Sequence, residues 1–281
     1  MRRNKSQGWS HAKNSGHKNE NLVSDLLLNN ISYQEQILMK LGFDKNIYLR
    51  KNVVNGLNEK QVETILGGKA YSKTDLKLYL SNDMIINISL KKSDAGQVYL
   101  ITKNNFINGF EKIFNKIIPN NVKIGINLFW SGKNDRDLYG IINENSPYPY
   151  NIKQHELNHN RLHSETLKSY NQNIHDALIA WFKDNIFEIT LFCFSYGLSK
   201  ETKEHSKYIW YKNLIKSDNL QDMDYIFDIK TLALCCNKKN NDINYSSKNG
   251  STITLPFGFV QWHKNSLQFH HQLKEILKIY S

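Results

Sequence analysis

Residues 74 to 91 constrain the fold more than any other segment. Over residues 74–80 the pattern alternates strictly, with Leu76, Leu78 and Leu80 on one side and Asp75, Lys77 and Tyr79 on the other. Successive side chains of a strand point to opposite faces, so this predicts a strand with one buried side. Residues 84–91 repeat the pattern, setting Met84, Ile86, Ile88 and Leu90 against Ile85, Asn87, Ser89 and Lys91. Only Ser81, Asn82 and Asp83 lie between the two runs, which reads as a hairpin. A chain with such a hairpin must build a sheet and must cover its leucine face.

The cover is predicted to be helical. Asn14 or Ser15 caps a helix expected over about residues 16–31, where Leu22, Val23, Leu26, Leu27 and Ile31 fall at helical spacing. The first ten or so residues are expected to be mobile. Further helices are predicted near residues 34–41, 59–66 (ended by Gly67-Gly68) and 106–118. Residues 122–130 read as a strand buried in the sheet, and 154–183 as a long helix. Short strands follow at 208–211 and 225–234, hairpins over 250–271 around Pro256-Phe257-Gly258, and a closing helix at 272–280. The fold class is α/β, a central mixed sheet flanked by helices. No Pro/Gly/Ser-rich linker interrupts the chain, so a single domain over residues 1–281 is expected; residues 143–150 come nearest to a boundary.

Composition narrows the setting. Lys and Arg number 37 against 26 Asp and Glu, a formal charge of +11, which favours a polyanionic partner. The chain is also rich in Asn, Lys and Ile, so compositional drift is an alternative source of part of that charge. No apolar run is long enough to span a bilayer. No apolar stretch follows the basic start before Leu22, and the three cysteines, Cys193, Cys235 and Cys236, form no disulfide framework. The expected setting is therefore the cytoplasm, without a membrane.

Asp75 and Lys91 lie at the polar end of the hairpin, and Ser89 shares a face with Lys91. A carboxylate beside a lysine suits metal-assisted phosphodiester cleavage. The carboxylate holds a hard divalent cation through oxygen. The cation offsets charge on the phosphate and lowers the pKa of a bound water. The lysine orients that water or helps to deprotonate it. Two residues before the lysine stands Ser89 rather than an acid, so a second carboxylate is needed from elsewhere. Glu20 precedes Val23 by one helical step and lies on the edge of the apolar stripe. A carboxylate facing inward there calls for a cation. Gln97 is expected to add a polar contact to the same site. Spacing alone also allows a solvent-facing Asp and Lys with no such role.

These residues carry a family resemblance. Ser72-Lys73-Thr74-Asp75, followed by Ile88-Ser89-Leu90-Lys91-Lys92-Ser93, resembles the active-site signature of type II restriction endonucleases of the PD-(D/E)XK superfamily, in particular MspI-like members with a KTD…SLK pattern. Gly16-His17-Lys18-Asn19-Glu20 is similar to their N-terminal helix, where a glutamate can join the metal site. Gly250-Ser251-Thr252 through Gln261-Trp262-His263 to His270 resembles their C-terminal strands near DNA. The resemblance runs in order along most of the chain and is loose over residues 143–249. Ser89 departs from the usual acid, and Ser72 from the proline in the superfamily's name.

The resemblance implies a restriction-endonuclease-like fold, one or two Mg²⁺ ions, and hydrolysis of double-stranded DNA at a short recognition sequence, leaving 5′-phosphates. It implies a catalytic core over roughly residues 14–130, with the C-terminal half contributing recognition. Asp75, Glu20 and the Leu90 carbonyl would hold metal, Ser89 would stand in the acidic position, and Lys91 would serve the attacking water. Lys73 and Lys92 would meet DNA. A cognate DNA methyltransferase would protect host DNA, and a homodimer would match a palindromic site. A repair or nicking nuclease would use the same residues, and a non-catalytic DNA-binding protein would share only the charge.

Base edges are read by Arg, Lys, Asn and Gln. Gln261, His263, Lys264, Gln268 and His270 alternate along the C-terminal strands, and Arg161 precedes them. The bland alternative is an amphipathic hairpin with its polar face in water. A competing motif is His155-Glu156-Leu157-Asn158-His159, which matches H-E-x-x-H, with His163 one helical step further. On a helix these histidines could bind zinc in a metallopeptidase. The flanks are polar, however, and no clear third ligand follows.

Overall fold

The computed structural model describes residues 5–54, 61–132, 136, 139–141, 161–215 and 223–280. The chain folds as two compact units, Met1–Asp94 with Phe194–Thr231, and Ala95–Cys193 with Leu232–Ser281.

The first unit is built on a sheet of order β1-β4-β5-β7-β8, comprising β1 (Leu49–Val54), β4 (Leu76–Leu80), β5 (Ile85–Lys91), β7 (Tyr208–Lys212) and β8 (Asp224–Asp228). β1, β4 and β5 run antiparallel, β5 and β7 parallel, and β7 and β8 antiparallel. This is the mixed sheet expected from the sequence. Its leucine face packs on helices α1 (Lys5–Asn29) and α2 (Ile31–Lys40). Val23, Leu27, Ile37 and Leu38 meet Leu76, Leu78, Leu80, Ile86, Ile88 and Leu90 in one core. Each such side chain is worth about 1.5–3 kcal/mol when fully buried.

The opposite face is polar yet also buried, holding Lys77, Asn87 and Ser89. A short 3₁₀ turn, Thr202–Glu204, closes over it. Glu204 Oε2 pairs with Lys77 Nζ at 2.9 Å, and Asn87 Nδ2 donates to the carbonyls of Lys203 (2.8 Å) and His205 (3.0 Å). Burial on both sides is compatible with strict alternation because Lys77 and the Asn87 Nδ2 group have partners here, although Asn87 Oδ1 has none among the described residues.

Three predictions for this unit need correction. The first helix begins earlier than predicted, at Lys5, and ends at Asn29 rather than at Ile31. Asn30 is extended, and its Oδ1 accepts from the Tyr33 N–H at 3.0 Å, so the amide caps a new helix instead of continuing the old one. The helix predicted near residues 59–66 is, in its described part, strand β2 (Gln61–Glu63), paired with β3 (Lys69–Tyr71). The strand predicted over 225–234 stops at Asp228, whose carboxylate accepts from the Thr231 N–H at 2.8 Å and starts a helix.

The second unit holds a fully antiparallel sheet of order β6-β12-β11-β10-β9, formed by β6 (Ala95–Thr102), β9 (Asn244–Tyr245), β10 (Thr252–Leu255), β11 (Gly258–His263) and β12 (Ser266–Gln272). The hairpins expected at the C-terminus are these strands. Lys264 and Asn265, with φ of 47° and 60°, make the turn between β11 and β12. Gly258 is required by close approach, since a Cβ there would stand 2.2 Å from the His270 carbonyl oxygen. Helices of this unit are α3 (Lys103–Phe114), α4 (Asn120–Phe129), α5 (Ser164–Tyr170), α6 (Gln172–Asp184), α7 (Ile186–Leu191), α8 (Ile229–Lys238, which begins in the first unit) and α9 (Leu273–Tyr280).

Residues 122–130, predicted as a strand, lie on helix α4 and the residue that caps it. The buried Val122, Ile126 and Phe129 recur at a helical period, and Gly125 brings α6 close; a Cβ there would meet Leu178 Cβ at 3.2 Å. The long helix predicted over 154–183 is broken at Asn171, whose side chain caps α6 by accepting from the Ile174 N–H at 3.1 Å. Among the described residues, no helix is long and apolar enough to cross a membrane.

Candidate active site

Asp75 immediately precedes β4, and its N–H donates to the Ile88 carbonyl of β5 at 2.9 Å. Three contacts converge on its Oδ2. The Leu90 N–H donates at 2.7 Å, the Ser89 hydroxyl donates at 3.2 Å, and Lys91 Nζ stands 3.7 Å away. Lys91 Nζ also donates to Ser89 Oγ at 2.8 Å and to the Leu90 carbonyl at 3.3 Å. Asp75, Ser89, Leu90 and Lys91 thus form one closed group at the end of the hairpin. Asp75 and Lys91 keep 27% and 19% of their side-chain surface, enough for a ligand to reach them.

Glu20 approaches this group from α1. Burial raises the pKa of its carboxyl, and the charge of Asp75 raises it further; a hydrogen bond and charge from His17 and the charge of Lys91 act the other way. Two carboxylates are therefore close enough to repel, and the charge of Lys91 acts on both. His17 Nδ1 lies 3.4 Å from Glu20 Oε2. The helix is seated by its neighbour Asn19, only 1% exposed, which donates through Nδ2 to the Lys212 carbonyl and accepts through Oδ1 from the Leu214 N–H, both at 2.8 Å. Neither His17 nor Asn19 was singled out by the sequence pattern. The signal was available for Asn19, an amide on the same helical face as Val23 and Leu27.

The donor set fits a hard divalent cation. It offers two carboxylates, the Leu90 carbonyl and the Ser89 hydroxyl. Mg²⁺ is commonly held by one or two carboxylates, with water and substrate phosphate completing the shell. No cluster of three or more His, Cys, Asp or Glu occurs among the described residues. A cation here would thus depend on those extra oxygens. Lys73 and Lys92 flank the group in sequence, and both are partly buried.

Gln97 belongs to the other unit from Lys91. It lies on β6 of the second unit, where Gln268 Nε2 donates to its Oε1 at 2.8 Å. Gln97 belongs to a polar ladder across the second sheet. Arg161 Nη1 contacts Gln261 Oε1 at 3.3 Å, and Gln261 Nε2 donates to Gln268 Oε1 at 3.0 Å. Gln261 Nε2 also contacts His270 Nε2 at 3.1 Å, and the His270 ring stacks on Phe259 at 4.6 Å. Burial, then the charges of Arg161 and His263, push the His270 imidazole down to about 4. Lys264 is exposed at the β11–β12 turn, next to the partly buried His263.

Residues 155–159, the H-E-x-x-H stretch, lie outside the described residues. His163 does not extend a helical row. Its backbone is extended (φ −83°, ψ 152°), it is 6% exposed, and it stands just before α5.

No protein-family description matches the chain, and no curated protein does either. Among solved structures, the chain is similar to the crystal structure of restriction endonuclease MspI in complex with its cognate DNA. The likeness has a TM-score of 0.48 and 11% sequence identity, over 85% of this chain and 77% of that one. A likeness this distant carries no weight for chemistry, which rests on the residues themselves.

Proposed function

We propose that the chain is a Mg²⁺-dependent deoxyribonuclease that hydrolyses double-stranded DNA at a short recognition sequence, as a type II restriction endonuclease does. The observation that carries this reading is the closed group of Asp75, Ser89, Leu90 and Lys91 on two adjacent strands, with Glu20 brought within electrostatic reach by a helix.

In this reading Asp75, Glu20 and the Leu90 carbonyl would hold the cation. When bound, it withdraws charge from the scissile phosphate and acidifies a water. Lys91 holds that water and compensates the phosphate charge. The water oxygen bonds to phosphorus as the bond to the 3′ oxygen breaks; the water gives up its proton to solvent and the departing 3′ oxygen takes one from solvent, leaving a 5′-phosphate and a 3′-hydroxyl. Ser89 keeps the Lys91 amine and the Asp75 carboxylate in register.

The Arg161–Gln261–Gln268–Gln97 ladder supplies amide donors and acceptors suited to base edges, with His263, Lys264, Lys73 and Lys92 meeting base edges or phosphates. A homodimer would suit a palindromic site. A cognate methyltransferase would be a partner in function, acting on the same DNA sequence.

The test is digestion of unmethylated plasmid or phage DNA with MgCl₂, followed by sequencing of the fragment ends. Discrete ends sharing one sequence are expected. Ends of random sequence would sink the restriction reading but leave a nuclease. Undiminished cleavage by both Asp75→Ala and Lys91→Ala would sink the site.

A further inference from the structure

We infer that Asn19 is the positioning residue for the Glu20 carboxylate, setting the divalent-cation affinity of the site without touching cation or DNA. This rests on the proposed role of Glu20 and adds a residue to it.

Asn19 is a polar amide in a helix face that otherwise packs as core, and it is 1% exposed. Burying an amide is unfavourable unless both ends are bonded. Here both are, and to successive backbone groups of one segment. Nδ2 donates to the Lys212 carbonyl and Oδ1 accepts from the Leu214 N–H. The side chain thus imitates one more rung of a sheet at the end of β7. That strand runs parallel to β5 in a register that sets Tyr211 beside Lys91. The end of β7 is therefore fixed relative to Lys91, and Asn19 ties α1 to that end.

Glu20 is the next residue, so its Cα inherits the position of the clamp. A second tie holds the same helix one turn later. Ser24 Oγ donates to Asn52 Oδ1 at 2.7 Å, and Asn52 Nδ2 donates to the Ser24 carbonyl at 3.1 Å. That tie reaches β1, the far edge of the sheet from β7. The Asn19 clamp joins α1 to the strand beside Lys91. Groups that orient a metal ligand typically change metal affinity or activity about 10–100-fold when removed.

The experiment uses the full chain in four forms: wild type, Asn19→Ala, Glu20→Gln and the double variant. Mn²⁺ binding without DNA is followed by the loss of the free-ion electron paramagnetic resonance signal. The Mg²⁺ concentration for half-maximal DNA cleavage is measured in parallel. Asn19→Ala is expected to weaken Mn²⁺ binding about tenfold and to raise the Mg²⁺ requirement by a similar factor. In the Glu20→Gln background the same change should add less than about twofold. Multiplying effects would mean that Asn19 acts independently of Glu20, which overturns the inference. So would a wild-type Mn²⁺ affinity for Asn19→Ala while Glu20→Gln is impaired. If Glu20→Gln itself binds and cleaves as wild type, the role of Glu20 fails first. Should Asn19→Ala unfold, Asn19→Asp keeps the size and Oδ1 but turns the donor into an oxygen facing the Lys212 carbonyl. It should show the same loss, which a merely space-filling Asn19 would not produce.

Discussion

Ser89 and Lys91 are bonded side chain to side chain, Nζ to Oγ at 2.8 Å, on one face of β5. The same hydroxyl donates to Asp75 Oδ2, so Ser89 mediates between the carboxylate and the amine. A serine here leaves the site with one negative charge fewer than an acid would give. Ser89→Asp would set a carboxylate directly opposite Asp75, and like charges facing across strands destabilise. Its thermal midpoint in EDTA should fall below that of wild type. Adding MgCl₂ should raise the midpoint more than it does for wild type, because the cation binds the folded state. An identical Mg²⁺ response in the two proteins would refute the assignment of this face as the cation site.

Glu20 yields a pH prediction whose sign is fixed. Its pKa is raised in the folded chain, chiefly by burial and then by Asp75. The folded state therefore holds the proton more tightly than the unfolded chain does. In the metal-free protein this contribution is present below the ordinary carboxylate value and is lost as pH rises through the higher folded value. Glu20→Gln should remove that loss, so its unfolding free energy should fall less over the window than that of wild type. Parallel urea titrations at several pH values decide it.

The Lys77–Glu204 pair is buried, with 11% and 7% of the side chains exposed, so the two partners depend on each other. Removing one partner leaves an uncompensated charge and costs about 3–5 kcal/mol. Glu204→Leu alone should lower the urea midpoint sharply. Lys77→Met with Glu204→Leu should recover most of that loss. Additive losses in the double variant would show that the charges are not coupled.

His270 should titrate near pH 4, since its folded value is about 4. Protonation would turn its Nε2 from acceptor to donor against Gln261 Nε2 and break that part of the ladder. A lowered histidine value means that stability falls as pH drops from the ordinary histidine range toward the folded value. Arg161→Ala removes an adjacent charge and should raise the midpoint. Proton NMR of the ring reads both, and a wild-type midpoint near 6.5 would contradict the burial that sets it.

Period-two alternation was enough to place Asp75, Ser89 and Lys91 on one face, because a strand's repeat leaves little freedom once one side is apolar. Helical phase likewise turned Glu20 inward. Residues 122–130 were misread because a short apolar run fits a buried strand or a buried helix, and only Gly125 and the spacing of Val122, Ile126 and Phe129 separate the two. That Gln97 joins the second sheet was not legible, because distance along the chain says nothing about which sheet the next strand joins. Asn19 was legible as an amide in an apolar stripe, but its partners lie at residues 212 and 214, and no local rule connects them.

The parallel pairing of β5 with β7 joins segments that are far apart in the chain, with the first stretch of the second unit, Ala95–Cys193, between them. During synthesis, Asp75 and Lys91 leave the ribosome well before the strand that completes their sheet and before the two residues that seat Asn19. Pairings of such long separation form slowly. A nascent chain that ends before Leu214 carries the hairpin but lacks the anchor for Glu20. The seat of Glu20 is therefore complete only once Leu214 has been made and β7 has paired with β5.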